Sequence, residues 1–373
     1  MQVRATKKSQ LQAPGTARRA ARAAAMAGAF CGLSGVAGGA LAQGAVSLYG
    51  VVDSYLEYAR DGGGPGAGGT GHRVTVQSGG LSGSRWGLKG AEDLGGGLKA
   101  KFQLESGIQL DSGASSQGGR LFGRQSWVGL AGNFGEVVVG RQYSQLFLLA
   151  ANTDPMDTAY GSSFTSGVLS LGQGGSGVRI DNAVSYYTPI WSGLQGSLLY
   201  GFAEQQGSAR GVASAGLTYA QGPLYLGGVY LRDKTRTTAR TDLEDALVAG
   251  TYKVGAFKLM GGYSHLKIEP VAAAERKRNE FYVGSMIDVL PAGLVEVAYG
   301  QGKTTDADDK AQVFSLGYVH SLSARTQLYA IGSKVRNRGA SAFAPSGADS
   351  ANDLASRPGS RPSGLALGMR HIF

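Results

Sequence analysis

The chain has 373 residues but only one cysteine, ten prolines and four histidines. Cys31 lies in an N-terminal segment that we expect to be removed, so the exported chain has no thiol for disulfides, thiolate catalysis or cysteine-ligated metals. After residue 42, no stretch approaches the roughly 20 apolar residues of a membrane helix. If the chain enters a membrane it therefore does so as a closed sheet, because only helices and barrels pair every backbone group there.

Residues 1–42 have the order of a secretory signal peptide. A basic region without acidic residues, which includes Lys7 and Arg18, precedes an Ala/Gly-rich apolar stretch, and Ala40-Leu41-Ala42 supplies the small residues for cleavage. We expect a signal peptide at 1–42 and one barrel domain at 43–373. Six basic residues lie in the signal peptide, so its removal lowers the formal charge from +10 to +4. So small an excess of positive charge does not indicate nucleic-acid binding.

Glycine is abundant, with 62 residues spread through segments in which apolar and polar residues alternate. In one such segment Leu98 and Phe102 alternate with Lys99 and Lys101. Because side chains of a strand point alternately to its two faces, one face of this segment suits lipid and the other suits water. A polar interior requires a barrel of many strands with a wet lumen.

Sixteen such segments follow one another, joined alternately by short turns and longer polar loops. This asymmetry is typical of outer-membrane barrels, and an even number of strands keeps both termini on the periplasmic side. The predicted fold is an all-β, 16-stranded antiparallel transmembrane β-barrel. A long insertion at 143–178 follows the fifth strand, and we expect the loop at 336–362, rich in Ser, Ala, Arg and Pro, to be mobile at the cell surface.

Several motifs resemble those of the trimeric general porins of β-proteobacterial outer membranes. They include Ser84-Arg85-Trp86-Gly87, Phe122-Gly123-Arg124-Gln125 and Gly140-Arg141-Gln142-Tyr143, with further matches at 46–53 and 368–371 and the terminal Phe373. The resemblance implies a homotrimer in the outer membrane and passive diffusion of small hydrophilic solutes and inorganic ions. It also implies that the third extracellular loop folds inward and narrows the pore. The 143–178 insertion lies where this loop is expected.

The resemblance also implies partners but no cofactor. We expect contacts with outer-membrane lipid and lipopolysaccharide, recognition of Phe373 by the barrel-assembly machinery, and no nucleic-acid partner.

The predicted pore constriction sets basic side chains on the barrel wall against acidic side chains on the loop. Opposed charges create a transverse field, which favours ions according to the dominant sign, here anions. Arg141 has the wrong parity for this wall unless its strand is bulged. For each residue the alternative is an ordinary solvated lumen charge. The basic wall comprises Arg85, Arg124, Lys89, Lys101 and Arg120, and the acidic loop comprises Asp154 and Asp157.

Three other functions stay open. A substrate-specific channel would need a lumen track of aromatics, and the inward positions show none that convinces. An outer-membrane barrel enzyme would need a nucleophile, base and orienter close together. His72 and His265 lie in or beside loops without a catalytic motif, while parity puts His320 and His371 on or near the lipid side. A purely structural barrel would have a plugged lumen.

Overall fold

The structure, a computed structural model, describes residues 45–62, 71–169, 177–203, 211–234, 242–270, 274–305, 307–349 and 356–373. The predicted signal peptide at 1–42 lies outside these residues. Within them, no helix is long and apolar enough to cross a membrane.

Nearly all of the described chain is antiparallel β-sheet. The first strands are β1 (Ala45–Arg60), β2 (His72–Ser78), β3 (Arg85–Gly95), β4 (Leu98–Gly107), β5 (Gln125–Gly132), β6 (Gly135–Tyr143), β7 (Arg179–Tyr187) and β8 (Leu194–Gly201). They are followed by β9 (Val212–Gln221), β10 (Leu224–Asp233), β11 (Asp242–Val254), β12 (Phe257–Glu269), β13 (Arg276–Val289), β14 (Gly293–Thr304), β15 (Lys310–Ser321), β16 (Thr326–Arg338) and β17 (Ser363–Ile372). A short helical turn, α1 (Ser116–Gly119), and one longer helix, α2 (Gln145–Thr153), lie in connections.

The sheet closes on itself through β1. On one side β1 pairs with β17, from Val51 opposite Ile372 to Arg60 opposite Ser363. On the other side, residues 54–60 of β1 pair with β2 and residues 45–51 pair with β3. Since β2 and β3 share one position in the wall, the barrel has 16 strands. The predicted all-β, 16-stranded antiparallel barrel is confirmed, and the strand predicted from 73 to 92 is interrupted.

A buried aspartate explains the interruption. Asp53 of β1 is 0% exposed, and its carboxylate accepts backbone N–H bonds from Gly80, Leu81 and Ser82 at 3.1, 2.8 and 2.9 Å. The hydroxyl of Tyr329 donates to the same carboxylate at 2.6 Å. These donors satisfy the backbone where residues 79–84 leave the sheet, so the break costs no unpaired buried N–H group at these three positions.

The two faces of the wall differ as the alternation predicts. Phe314, Leu316 and Leu367 are 58%, 54% and 47% exposed on the outer face. On the inner face, Glu280 and Ser315 are buried by other parts of the chain. An apolar outer face with a polar inner face is the pattern of a transmembrane barrel.

The closing seam ends at the C-terminal residue. The Gly50 N–H donates to the Phe373 carbonyl, and the Phe373 N–H donates to the Gly50 carbonyl, both at 3.1 Å. A Cβ atom on residue 50 would lie 2.2 Å from the Phe373 ring, so the aromatic side chain requires glycine opposite it. The final residue is therefore part of the wall, as the alternation of the last strand predicts.

We expect Asp53→Ala to lower the free energy of unfolding by about 3 kcal/mol or more, because it leaves several buried N–H groups and one hydroxyl without an acceptor. The measurement is the temperature at which the folded band disappears in unheated-versus-heated gel electrophoresis. Asp93→Ala is the control, since Asp93 is exposed and accepts a bond from the Gly95 N–H, at 2.9 Å, within a turn. Equal transition temperatures for the two variants would contradict the role of Asp53.

Candidate pore constriction

The connection between β6 and β7 begins with a capped helix. The Ser144 Oγ accepts a hydrogen bond from the Phe147 N–H at 3.0 Å, which satisfies one donor of the first turn of α2. Leu146, Leu149 and Ala150 are each 1% exposed and belong to one apolar cluster with Leu231 and other wall residues. The helix contacts β9, β10, β11 and β12, so its apolar face lies against that part of the inner wall.

Beyond the helix, residues 154–162 fold around a carboxylate. Asp154 is 1% exposed, and it accepts bonds from the Met156 N–H at 3.1 Å, the Thr158 N–H at 2.8 Å and the Ser162 hydroxyl at 2.5 Å. Burial raises the pKa of Asp154 to about 6, although these three donors oppose the shift. Asp154 thus organises the connection from within it instead of facing water in the lumen.

The same connection then reaches other strands of the wall. The Tyr160 hydroxyl donates to Glu57 Oε1 at 2.9 Å, and the Tyr160 N–H donates to the Gly80 carbonyl at 2.6 Å. Ser315 Oγ donates to the Gly161 carbonyl at 2.7 Å. Residues 144–169 therefore contact inner side chains from β9 to β16 and from β1. On β3 and β4, several inner side chains are partly exposed.

Arg124, which comes directly before β5, is the centre of a group of charged side chains. Its Nε donates to Glu105 Oε1 at 2.9 Å, and its Nη2 donates to the Tyr143 hydroxyl at 3.0 Å. Its Nη1 lies 3.6 Å from Asp349 Oδ1. A charged side chain that is only 7% exposed needs such partners, because burial of an unpaired charge costs several kcal/mol.

Two further arginines join Arg124. Arg85 Nε lies 3.7 Å from Glu105 Oε2, and its Nη1 donates to the Gly83 carbonyl at 2.8 Å. The Arg179 guanidinium stacks over the Tyr143 ring, 4.8 Å from its centroid, and donates to its hydroxyl at 3.2 Å. We call Arg85, Arg124 and Arg179 the arginine cluster. Three guanidinium groups share the carboxylates of Glu105 and Asp349, so the cluster carries a net positive charge.

The other predicted wall residues lie elsewhere. Lys89 and Lys101 are four residues along their strands from Arg85 and Glu105, about 13 Å away at the usual strand rise. The Lys89 ammonium lies 5.0 Å from the centroid of the Tyr49 ring, and Lys101 pairs with Glu136. The structure thus brings Arg85 and Arg124 together but separates both lysines from them.

Arg120 belongs to a different group of charges. It is exposed and donates to both carboxylate oxygens of Asp181 at 3.0 and 2.9 Å. Arg141 pairs with the same carboxylate, and the β6–β7 register shifts between Gly140 and Gln142. Across this shift three steps of β7, from Ile180 to Ala183, lie against two steps of β6, so the extra residue is in β7 and not at Arg141. Arg141 therefore keeps the outward parity of Val139, which is 48% exposed, and stays off the inner wall. Asp157, the second acidic loop residue of the prediction, is half-buried and has a left-handed φ of 53°.

Sequence reasoning did not identify Arg179, Tyr143 or Asp349 as members of the group. Glu105 has the inward parity of the predicted strand, and Tyr143 ends one of the family motifs, so these two had a signal in the sequence. Asp349 had none, since it comes from the last long connection, more than two hundred residues after Arg124.

The last long connection corrects one prediction. The sequence predicts that the loop at 336–362 is mobile at the cell surface. Its described residues 341–349 instead lie inside the structure. The Ala348 N–H donates to the Gly79 carbonyl at 2.9 Å, and the Ser346 carbonyl accepts from the Gly161 N–H at 3.0 Å. Asp349 is 8% exposed. The prediction was wrong for these residues because composition indicates loop character but not the contacts that a closed wall offers.

The comparisons with known proteins agree with this architecture. A family model described as Gram-negative porin matches residues 23–340. The chain is a member of this porin family. It is 34% identical to outer membrane porin protein 32 of Delftia acidovorans over 90% of the chain and 96% of that relative. It is 32% identical to an outer membrane porin protein of Bordetella pertussis over 82% of the chain and 92% of that relative.

A solved structure supports the same assignment. The anion-selective porin from Comamonas acidovorans superposes on this porin with a TM-score of 0.78 at 31% identity, over 89% of this chain and all of the other. The predicted family, the outer-membrane location and the function as a diffusion channel are thereby confirmed. Its relatives are channels and not enzymes.

We expect Asp349→Asn to raise the anion-to-cation permeability ratio about twofold, because it removes a negative charge next to Arg124. Burial raises the pKa of Asp349, with Arg124 and Arg179 opposing the shift, so the comparison is made at alkaline pH, which favours the ionised carboxylate. The measurement is the reversal potential across a salt gradient. Asp308→Asn is the control, because Asp308 pairs with Arg338 on the exposed outer surface. An unchanged ratio in Asp349→Asn would contradict this reading of the cluster.

Asp154 predicts a pH dependence of stability. Its folded-state pKa of about 6 exceeds the ordinary value of 3.8, so the folded chain binds a proton that the unfolded chain does not bind between these values. Stability should therefore rise as the pH falls from about 6 to about 4, by up to the order of 3 kcal/mol. Thermal unfolding of wild type and Asp154→Asn over this range tests it. The stability of wild type relative to that of Asp154→Asn should rise as the pH falls, and a constant difference would refute the assignment.

Proposed function

We propose that this porin is a homotrimeric general diffusion channel with mild anion selectivity, and that the arginine cluster sets this selectivity. The observation that carries the proposal is the cluster of Arg85, Arg124 and Arg179, whose three guanidinium groups meet only two carboxylates, those of Glu105 and Asp349. The porin from Comamonas acidovorans, which is described as anion-selective and is 31% identical to this chain, supports the same selectivity.

The geometry explains how the cluster acts. Glu105 and Tyr143 hold the three guanidinium groups in fixed positions, so the cluster presents its charge without reorganisation when an ion passes. Fixed charge at a narrow point raises the local concentration of counter-ions and repels ions of the same sign. Lys89, Lys101 and Arg120 lie outside this group, so we assign them a weaker effect on passing ions. The net charge of the connection contributes through Asp157, since Asp154 is enclosed.

The histidines give no support to an enzyme function. Among the described residues, the recorded partners of His265, His320 and His371 are Asn279, Tyr318 and Thr326, and His72 lies beside the Tyr58 ring. A catalytic histidine is usually oriented by a carboxylate next to a nucleophile. We therefore propose that the protein has no enzymatic activity.

The remaining parts of the proposal concern export and assembly. We propose that residues 1–42 are removed as a signal peptide and that the barrel-assembly machinery recognises the C-terminal segment ending in Phe373. Phe373 supports the second proposal, because its backbone pairs with Gly50 at the closing seam. We also propose contacts with outer-membrane lipid and lipopolysaccharide.

Planar-bilayer recording of porin purified from outer membranes tests the channel. We expect conductance steps in groups of three and an anion-selective reversal potential. The double variant Arg85→Gln/Arg179→Gln should lower the anion-to-cation permeability ratio about twofold or more, whereas Lys89→Gln/Lys101→Gln, with the same change in charge, should have a smaller effect. Both variants spare Arg124, whose loss would leave Glu105 buried with weaker compensation.

The opposite results would divide the proposal into parts. Equal shifts in the two double variants would contradict the assignment of selectivity to the arginine cluster. A cation-selective wild-type channel would contradict anion selectivity, and single conductance steps would contradict the trimer.

A further inference from the structure

A group of basic side chains lies on the outer face of the barrel, at the end that carries the long connection between β16 and β17. Its members share the outward parity of Phe314 on β15 and Leu328 on β16, which are exposed apolar residues. All are exposed except Lys310, which is half-exposed. The outer basic patch comprises Lys303, Lys310, Lys334, Arg336, Arg338 and Arg361.

The register places like charges directly opposite one another. Lys303 of β14 is opposite Lys310 of β15, and Lys310 is opposite Arg338 of β16. Cross-strand neighbours have Cβ atoms only about 5 Å apart, and like charges at such positions repel. Three adjacent cations across three strands therefore favour an anion between them.

Among the residues that the structure describes, the carboxylates beside the patch are fewer than its cations. Among the described residues, the one ion pair recorded for the patch joins Arg338 Nε to Asp308 Oδ2 at 2.8 Å, with both side chains more than two-thirds exposed. The nearby Asp309 accepts the Ala340 N–H at 2.6 Å. Lys310, Arg336 and Arg338 instead line a cavity of about 360 Å³, together with Gln312, Asn337 and Arg361.

A neighbouring surface at the same end of the barrel provides the contrast. On the outer face of β10 to β13, Arg232 pairs with Glu244 at 3.1 Å, and Lys267 pairs with Glu269 at 2.7 Å. Glu275 pairs with both Lys267 and Lys277, at 3.0 and 3.3 Å. Arg232, Lys267 and Lys277 are thus paired with three glutamates, and their charges are balanced. The charges of the outer basic patch are not balanced in this way among the described residues.

Apolar residues adjoin the patch on the side of the membrane. Lys334 is directly opposite Phe314, and the next outward positions along the strands include Leu316 and Leu365, which are 54% and 42% exposed. Tyr299 is opposite Phe314 on the other side. A ligand with acyl chains and an anionic headgroup would place its chains on these side chains and its headgroup among the cations.

We propose that the outer basic patch binds the phosphate groups of a phosphorylated glycolipid of the outer leaflet. Guanidinium groups match phosphate oxygens in a two-pronged geometry, and ammonium groups add point charges that anionic headgroups attract. The proposal names one surface for the lipopolysaccharide contact that the proposed function includes. It depends on the outer-membrane location and not on the selectivity of the pore.

The test compares two triple variants of the full chain with equal changes in charge. Lys310→Gln/Arg336→Gln/Arg361→Gln removes patch cations that have no ion pair recorded among the described residues. Arg232→Gln/Lys267→Gln/Lys277→Gln removes three cations from the balanced surface. Binding of hexa-acylated lipid A with two phosphates, and of the same lipid after dephosphorylation, is measured in detergent by native mass spectrometry.

We expect the wild-type porin to bind the phosphorylated lipid at least about tenfold more tightly than the dephosphorylated lipid. The patch variant should lose about tenfold or more of this affinity, and the control variant about twofold at most. Equal losses in both variants would overturn the proposal, as would equal binding of the two lipids. A patch variant with altered oligomeric mass by light scattering and unaltered lipid binding would overturn it too, and would instead identify an interface between copies.

Channel recordings keep this proposal separate from the proposed function. The patch variant should retain wild-type conductance and reversal potential, because its substitutions lie on the outer face. A non-conducting wild-type porin that still binds phosphorylated lipid through the patch would overturn the diffusion channel and support the lipid site.

Discussion

The requirement that every backbone N–H and C=O group in a bilayer has a partner determines the rest of this structure. A sheet satisfies it only if it has no free edge, and here β1 supplies the closure by pairing with β17 on one side and with β2 and β3 on the other. The seam reaches the terminal Phe373, whose ring leaves space only for Gly50. Once the wall is closed, alternate side chains face either lipid or an enclosed interior.

The enclosed interior explains why so many polar side chains are buried. Residues 144–169 and 341–349 occupy part of it, and their backbone groups are paired with each other and with the wall, as at Gly161 with Ser346 and Ala348 with Gly79. The interruption at 79–84 belongs to the same arrangement, because it frees the Gly80 carbonyl to accept from the Tyr160 N–H. Asp349, which pairs with Arg124, is one of the charges that this arrangement holds in the interior.

The candidate constriction was only partly predictable, for reasons that differ from residue to residue. Strand parity was sufficient to place Arg85, because an inward position follows from alternation alone. The same alternation kept Arg141 off the inner wall, and Arg141 stays off it because the irregular β6–β7 register adds its extra residue to β7. Asp154 has the composition of a pore residue, but its carboxylate serves the turn that follows α2. Asp349 reaches Arg124 across the interior, and no local pattern in the sequence connects the two.

The sequence by itself determined the architecture. It has a period of two, alternating short and long connections, little cysteine and no apolar run as long as a membrane helix after residue 42. Together these features point to a transmembrane barrel. These signals are local, and local backbone geometry is sufficient to set the alternation of side chains along a strand. Only the tertiary structure decided which charges meet, because the distances between Arg124, Glu105 and Asp349 depend on the closure of the whole wall and on two connections that fold inside it. The same closure decided that Lys303, Lys310 and Arg338 lie side by side across β14 to β16.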